Sequence, residues 1–469
     1  MLKINDAVTP QDLTPLIDRL FELSAVKIKA IEKSWDSSRG TPVFTIKGQY
    51  TVRGWTEWTR GFQFGSALLQ FDATDDRLFL DIGRHGTLNH MVAHISHGGV
   101  HDHGFNNVST YGNILRLIRE ERINDNSGIA RLCTLALKIS GAVQASRWTP
   151  VPENLGFIHS FNGPHSLFID TMRSLRSLAL SHSLGHVLMG EQDERISLLT
   201  RLLQHAETTA RFTVYWGNGR DSFDVRGRTS HESIFNAHNG SFRCPSTQQG
   251  YSPFSTWARG LSWALLGYAE LLEYLESLPE REFECDPGIF GGERQRWIQR
   301  FLDAASATAD HYLECAAADG IPYWDNGAPG LAAMPDWADR PSDPYNAYEP
   351  VDSSAAAIAA QGLLRLGTYL QHQGDDVHGN RYLKAGLTIA ETLFREPYLS
   401  TDPNHQGLIL HSVYHRPNGW DNIPKGQKIP CQESSMWGDY HARELALLIL
   451  RFTKDLPYYN FFTSLLQLK

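Results

Sequence analysis

The sequence has little of what marks a secreted, membrane-bound or nucleic-acid-binding chain. It carries five cysteines in 469 residues: Cys133, Cys244, Cys285, Cys315 and Cys431. They are odd in number, scattered and never in a CxxC pair. That pattern argues against a disulfide framework and a cysteine-rich zinc site, and suits free thiols in a reducing compartment. No apolar run approaches the roughly 20 residues that span a bilayer. The first residues, MLKINDAVTPQDL, lack the apolar core of a signal peptide. The expectation is a cytoplasmic protein without membrane contact. Net charge is −9 and there is no long basic run, which argues against a nucleic-acid partner held by phosphate neutralisation. An anionic substrate stays open, because local arginines can offset a negative global field. No low-complexity segment or linker divides the chain, so residues 1–469 read as a single domain.

What is present begins with ample material for a core, 41% hydrophobic and 20% charged residues. There are 12 tryptophans, many in loops beside Gly, Asp and Asn, where flat rings stack on sugars. Six helices of small and apolar residues begin near Trp58, Asp102, Asp170, Trp257, Asp352 and Trp437. Each follows a loop of Trp, Asp, Ser or Gly. Between them lie more amphipathic stretches: Pro10 to Ser34, Asp76 to His90, Ser127 to Ala145, Glu191 to Phe212, Glu293 to Ala318 and Arg381 to Phe394. A helix that is apolar all round is buried all round, and one with a polar face lies outside. Six inner and six outer helices predict an all-α fold, an (α/α)6 barrel, with the inner helix starts converging on one cleft. An α-solenoid is the alternative, and the unequal spacing of the starts disfavours it. The polar segment Tyr215 to Gly250 reads as a functional loop or small hairpin.

The stretch around which the rest is organised is GGVHDHGF, Gly98 to Phe105. Glycines allow a sharp turn before Asp102. An Asp just before a helix is either an N-cap or a carboxylate at the mouth of a pocket. Asp170 stands at the same place one repeat later, after Leu167, Phe168 and Ile169. Apolar surroundings raise a carboxyl pKa, which is what a general acid near neutral pH needs. Arg259 and Trp263 lie four apart on one face of a small-residue helix. A lone Arg there must have its charge met, either by a structural ion pair or by a substrate carboxylate, for which a guanidinium is well shaped. Trp263 offers a flat face to a sugar. His94, His97, His101, Asp102 and His103 fall within ten residues, but their spacing matches no metal motif such as HExxH.

These stretches together resemble the unsaturated glucuronyl hydrolases, glycoside hydrolase family 88. The matching pieces are HDHGF (101–105), IDTM (169–172), QGYSPFSTWARGLSW (249–263), PYWD (322–325), DSSAAAIAAQGLLRL (352–366) and ESSMWGDY (433–440). The resemblance implies the (α/α)6 barrel and no metal or organic cofactor. It implies hydrolytic release of a 4,5-unsaturated uronic acid from the non-reducing end of oligosaccharides made by polysaccharide lyases. The C4=C5 bond is an enol ether: an acid protonates C4, water adds at C5, and the hemiketal collapses. On this resemblance Asp170 is the general acid and then base, and Asp102 holds sugar hydroxyls and stabilises developing charge. His231 and Gln249 contact the sugar and the attacking water, although His238 lies close by. Arg259 and Trp263 bind the sugar, with Arg259 a candidate for its carboxylate. Trp58 and Phe105 form walls, and His101 and Phe161 complete the expected site. The chain departs from the family's pattern at Phe161, where Trp is usual, at Ser174, where Asn is usual, and in Arg173 and Arg176 on an inner helix. Lys425 and Lys428 read as a solvated loop, with a sulfate or carboxylate on the next sugar as the alternative. The partner is an unsaturated oligosaccharide, with the protein a monomer or homodimer. The rival readings are an unsaturated rhamnogalacturonyl hydrolase acting on pectin fragments, a metal-dependent isomerase or lyase using the histidines, and a non-catalytic sugar-binding barrel.

Overall fold

The computed structural model describes residues 1–54, 57–125, 128–285, 288–454 and 456–462. Trp55 and Thr56 of the GWTEWTR stretch, Ser127 and the Cys285 side chain lie outside the described set. Six inner helical segments form a closed ring. They are Arg60–Thr74; His103–Asn107, continuing through one wider turn into Asn113–Arg119; Thr171–Ser174 with Arg176–Ser183; Ala258–Glu276; Ser353–His372; and Met436–Thr453. Each packs on the next and the last packs on the first. The outer ring is Pro10–Ser34, Arg77–His90, Ile129–Ser146, Leu198–Phe212, Arg294–Cys315 and Asp376–Leu393. This is the (α/α)6 barrel.

The sequence pattern explains the layers. Ser353–His372 is rich in Ala, Leu and Gly and is buried on almost every face. Pro10–Ser34 buries one stripe, which includes Leu13, Ile17, Leu20, Phe21, Ile28 and Ile31. Its start is set by a reciprocal cap, with Thr9 Oγ1 accepting from the Asp12 N–H and Asp12 accepting from the Thr9 N–H. Among the described residues no helix is long and apolar enough to cross a membrane.

One outer helix differs from expectation. It starts at Leu198, not Glu191, because Ser197 caps it by accepting from the Thr200 N–H at 3.1 Å. The residues before it fold into a short hairpin, Leu188–Met189 against Arg195–Ile196. The polar segment 215–250 supplies two strands, Glu232–Phe235 and Phe242–Ser246, which extend a small antiparallel sheet begun by Ser166–Phe168. Phe168 pairs with Glu232, and the Ile169 N–H donates to the His231 carbonyl at 3.0 Å. That ladder sets Asp170 and His231 side by side.

Glycine decides how closely two inner helices meet. A Cβ on Gly104 would stand 2.3 Å from the Ser174 carbonyl oxygen. Only a residue without a side chain permits this approach, and it brings the heads of the second and third inner helices together. Arg173 and Arg176 are both buried, and Arg176 donates to the Gly104 carbonyl at 2.9 Å. Both meet the buried Glu444, at 2.9 and 3.7 Å, which also accepts from the Tyr459 hydroxyl at 3.0 Å. Their unexpected charges therefore belong to an internal ion network.

Candidate active site

Three inner helices begin with Asp, and they do not behave alike. Asp352 caps its helix, its Oδ1 accepting from the Ser354 N–H at 3.1 Å. Asp102 and Asp170 make no capping hydrogen bond. Their side chains converge instead on His101. The His101 Nε2 lies 3.0 Å from Asp170 Oδ1 and 3.6 Å from Asp102 Oδ1. His101 itself is 1% exposed and the two carboxylates 6% and 8%. The loop reading of both residues as N-caps is therefore not realised.

The electrostatics separate the two carboxyls. Burial, reinforced by the neighbouring Asp170 charge and opposed by His101, pushes Asp102 up to about 6. Burial acts on Asp170 in the same direction, but the His101 hydrogen bond and charge outweigh it, and its carboxyl is held below the usual range. The expectation of a raised pKa at Asp170 is thus corrected: the apolar residues before it matter less than the imidazole beside it. Burial depresses His101, and the two carboxylates reverse that and raise it. The three groups titrate as one unit.

A cavity of about 740 Å3 opens over this cluster, lined in part by Trp58, Asp102, Phe161, Phe168, His231 and Gln249. Its size suits a ligand as large as a disaccharide. His231 Nδ1 accepts from the backbone N–H groups of Gln248 and Gln249 at 2.9 and 3.2 Å. Burial pushes the ring down to about 4, so it is neutral and its remaining proton sits on Nε2. That buried N–H has no partner among the described residues and is what the ring offers a substrate. His238 is exposed in the turn beyond. Gln249 Oε1 accepts from Arg259 at 2.8 Å, which leaves its amide NH2 as the free end.

Arg259 is a second correction. It is 1% exposed and donates to Asp352 Oδ2 and the Tyr414 carbonyl, each at 2.8 Å, to Gln249, and to the Val413 carbonyl. Its guanidinium also lies between the rings of Trp257 and Trp437. With these donors committed it is no direct clamp for a substrate carboxylate. It is the structural ion pair that the sequence also allowed. Trp263 is 2% exposed, packed under Phe105 at 4.8 Å and against His441 at 4.9 Å. Phe105, 1% exposed, in turn packs under Trp58 at 5.7 Å. Neither Trp263 nor Phe105 lines the cavity; they are the layer beneath Trp58, which does. Phe161 is 39% exposed, forms part of the wall and lies 5.9 Å from the His101 ring. Lys425 and Lys428 are exposed and outside the lining.

The remaining histidines of the 94–103 cluster point apart. His103 Nδ1 bonds the Ser140 hydroxyl at 2.9 Å, and its Nε2 donates to the His97 carbonyl at 3.0 Å. His94 faces Glu57 at 3.6 Å. Among the described residues no three His, Cys, Asp or Glu side chains gather where an ion could be held. The sequence reading missed the loop Tyr414 to Trp420, which supplies Tyr414, His415, Asn418 and Trp420 to the wall. Asp421 holds that loop by accepting from the Tyr414 and His415 N–H groups. Its signal was a Trp beside Asn and Gly in a polar loop, the pattern already noted elsewhere in the chain.

Comparison with known proteins agrees with this geometry. No family model matches the chain. Over 391 residues it is 25% identical to the unsaturated glucuronyl hydrolase of Formosa agariphila, covering 83% of this chain and 78% of that one. Over 232 residues it is 29% identical to the unsaturated glucuronyl hydrolase of Bacillus sp. strain GL1, 49% of each. Its fold matches the crystal structure of an unsaturated glucuronyl hydrolase specific for heparin with a TM-score of 0.68 at 20% identity, over 95% of this chain and 100% of that one. The chain is similar to unsaturated glucuronyl hydrolases in sequence and in fold, as its motifs imply.

Proposed function

We propose that this protein is a glycoside hydrolase that releases 4,5-unsaturated glucuronic acid from the non-reducing end of lyase-generated oligosaccharides, with the single barrel of residues 1–469 as the catalytic unit. The observation that carries the reading is the pair of buried carboxyls bridged by one imidazole, of which Asp102 lines a sugar-sized cavity and Asp170 and His101 stand behind its lining. Neither carboxyl caps its helix, so both are left for chemistry.

The reaction needs a proton at C4 of an enol ether, not a carboxylate nucleophile, so the two-carboxylate geometry of ordinary glycosidases is not required. Asp170 is the general acid. In the empty site it is ionised against His101, and Asp102 retains a proton up to about 6. The arriving sugar brings its own carboxylate into a dry site. That added negative charge favours the protonated form of the cluster, and the proton reaches Asp170 across the 3.0 Å contact with His101. Asp170 then protonates C4, and the positive charge spreads onto C5 and the ring oxygen. Asp102 stabilises that charge. The Asp170 carboxylate takes a proton from the water that adds at C5. The hemiketal opens by breaking the bond from C5 to the ring oxygen, and C1 releases the remaining saccharide. His231 Nε2–H and the Gln249 amide bind the sugar and orient the water, and Trp58 and Phe161 flank the rings.

The test is loss of the ultraviolet absorbance of the conjugated C4=C5 bond on unsaturated disaccharides from a panel of lyases, with wild type and Asp170→Asn. Loss with the wild type alone is the expected outcome. Loss with both proteins would remove Asp170 from the acid role, and no loss with folded wild type on any substrate would remove the reaction.

A further inference from the structure

The charge of the cavity is arranged unevenly, and this bears on which oligosaccharide fits. At the floor, positive charge is close: His101, raised by its two carboxylates, and Arg259 directly behind Gln249. One anionic group, the uronyl carboxylate, is provided for there. The rim of the cavity includes Glu57, His97, Phe161, Asn162, Asn418 and Trp420. Neither Lys nor Arg lines the cavity among the described residues. His415 also lines it, and burial pushes its ring down to about 4, so it is neutral. Its Nδ1 accepts from the Asn418 N–H at 3.3 Å. Its Nε2 lies 3.2 Å from the side-chain amide nitrogen of the same Asn418. The pair is neutral and hydrogen-bonded within itself.

The guanidinium groups of Arg53 and Arg147 are committed elsewhere. Arg53 donates to the Trp420 carbonyl at 3.1 Å and to Thr51 and Val52. Arg147 donates to the carbonyls of Gly98, His159 and Ser160. Arg416, next to His415 in sequence, is not part of the lining. The carboxylate at the mouth is Glu57, which Arg60 meets from outside the lining at 3.4 Å.

We infer that the subsite beside the unsaturated uronyl ring is built for an uncharged sugar, and that a sulfate or carboxylate on that sugar is selected against. The inference rests on the proposed hydrolase reading and names its substrate class. An anion entering this mouth would lose water without meeting a Lys or Arg of the lining, and would meet Glu57. Like-charge juxtaposition of this kind gives specificity through the disfavoured partner. Hydroxyl and N-acetyl groups instead find amides, a neutral imidazole and aromatic faces.

The experiment compares kcat/KM at neutral pH for an unsaturated uronyl–N-acetylhexosamine with and without a 6-sulfate. The expected ratio favours the unsulfated disaccharide by about tenfold or more, and Glu57→Gln and added salt both narrow it. Binding of the same two disaccharides to Asp170→Asn, read by calorimetry, shows the same preference independently of turnover. If neither disaccharide is turned over but the binding preference holds, the reaction reading fails and the subsite inference stands. Equal kcat/KM and equal affinity would overturn the inference with the reaction intact. A preference for the sulfated disaccharide that Arg416→Ala removes would overturn it too, and would make that guanidinium the anion's partner.

Discussion

Replacing His101 by Ala tests the central claim about the site, that one imidazole sets the protonation of two carboxyls. In the intact protein the ring stands 3.0 Å from Asp170 and 3.6 Å from Asp102, and its charge works against burial at both. Removing a cation at this distance raises a carboxyl pKa by about 1–3 units, or about 1.4–4 kcal/mol between the two protonation states. The substitution also leaves two carboxyls close together in a buried site, so one proton is held more tightly than before. The direction follows from the requirement for a protonated acid. Activity is lost as pH rises through the pKa of the cluster, and that basic limb of kcat/KM moves upward by about 1–3 units in His101→Ala. The maximal rate falls at the same time, because Asp170 loses the partner that orients it.

The assay is the pH profile of kcat/KM from the loss of C4=C5 absorbance. A basic limb that stays in place or moves downward would refute the reasoning, even with a large loss of rate. It would mean that the titrating group is not shared between Asp102, His101 and Asp170.

Two further predictions test the frame around the site. Gly104→Ala puts a Cβ 2.3 Å from the Ser174 carbonyl, so the second and third inner helix heads must separate, costing about 1–3 kcal/mol. Displacing the carboxyl pair by even about 1 Å lowers kcat by about a hundredfold; a lowered Tm with unchanged kcat would show that the helix contact does not set the pair. Acid stability is the second. His103, His205, His231, His311 and His441 are buried and pushed down to about 3–4. Their folded pKa lies below the unfolded value, so their stabilising effect is present above about 6.5 and is lost as pH falls toward 4. Each costs about 2 kcal/mol by pH 5. Asp102, Asp325 and Asp421, raised to about 6, act in the opposite sense by about 1 kcal/mol each. The histidines win, and Tm falls steeply between pH 7 and pH 5; a flat Tm over that range would count against buried neutral imidazoles.

The layers of this fold were legible because burial on all sides and burial on one side write different patterns. Ser353–His372 and Pro10–Ser34 differ by eye, and the structure places them in the inner and outer rings. The start of Leu198–Phe212 was not legible in the same way. Its amphipathic pattern runs on through residues that a hairpin and the Ser197 cap take out of the helix. At the cavity, Trp58, Asp102, Phe161, His231 and Gln249 were marked in the sequence and line the wall. The loop 414–420 was passed over, because its contribution depends on Asp421 folding it back over the barrel mouth.

Arg259 and Trp263 show what a motif does and does not convey. Both sit in the most specific stretch of the chain, and both are buried beneath the wall. A sequence states that a charge among small residues must be met, not by what. Here Asp352, one repeat further on, meets it at 2.8 Å, and that pairing sorts the three helix-heading Asp residues into two kinds. Asp352 spends one oxygen on its own helix and the other on Arg259. Asp102 and Asp170 have no arginine within salt-bridge reach among the described residues, and share His101. Locally the three positions read alike; Arg259 and Asp352 are 93 residues apart, and His101 and Asp170 are 69 apart. In this chain Arg259 engages the structural carboxylate and holds Gln249 at the wall, which leaves the other two Asp residues coupled through an imidazole that can carry a proton.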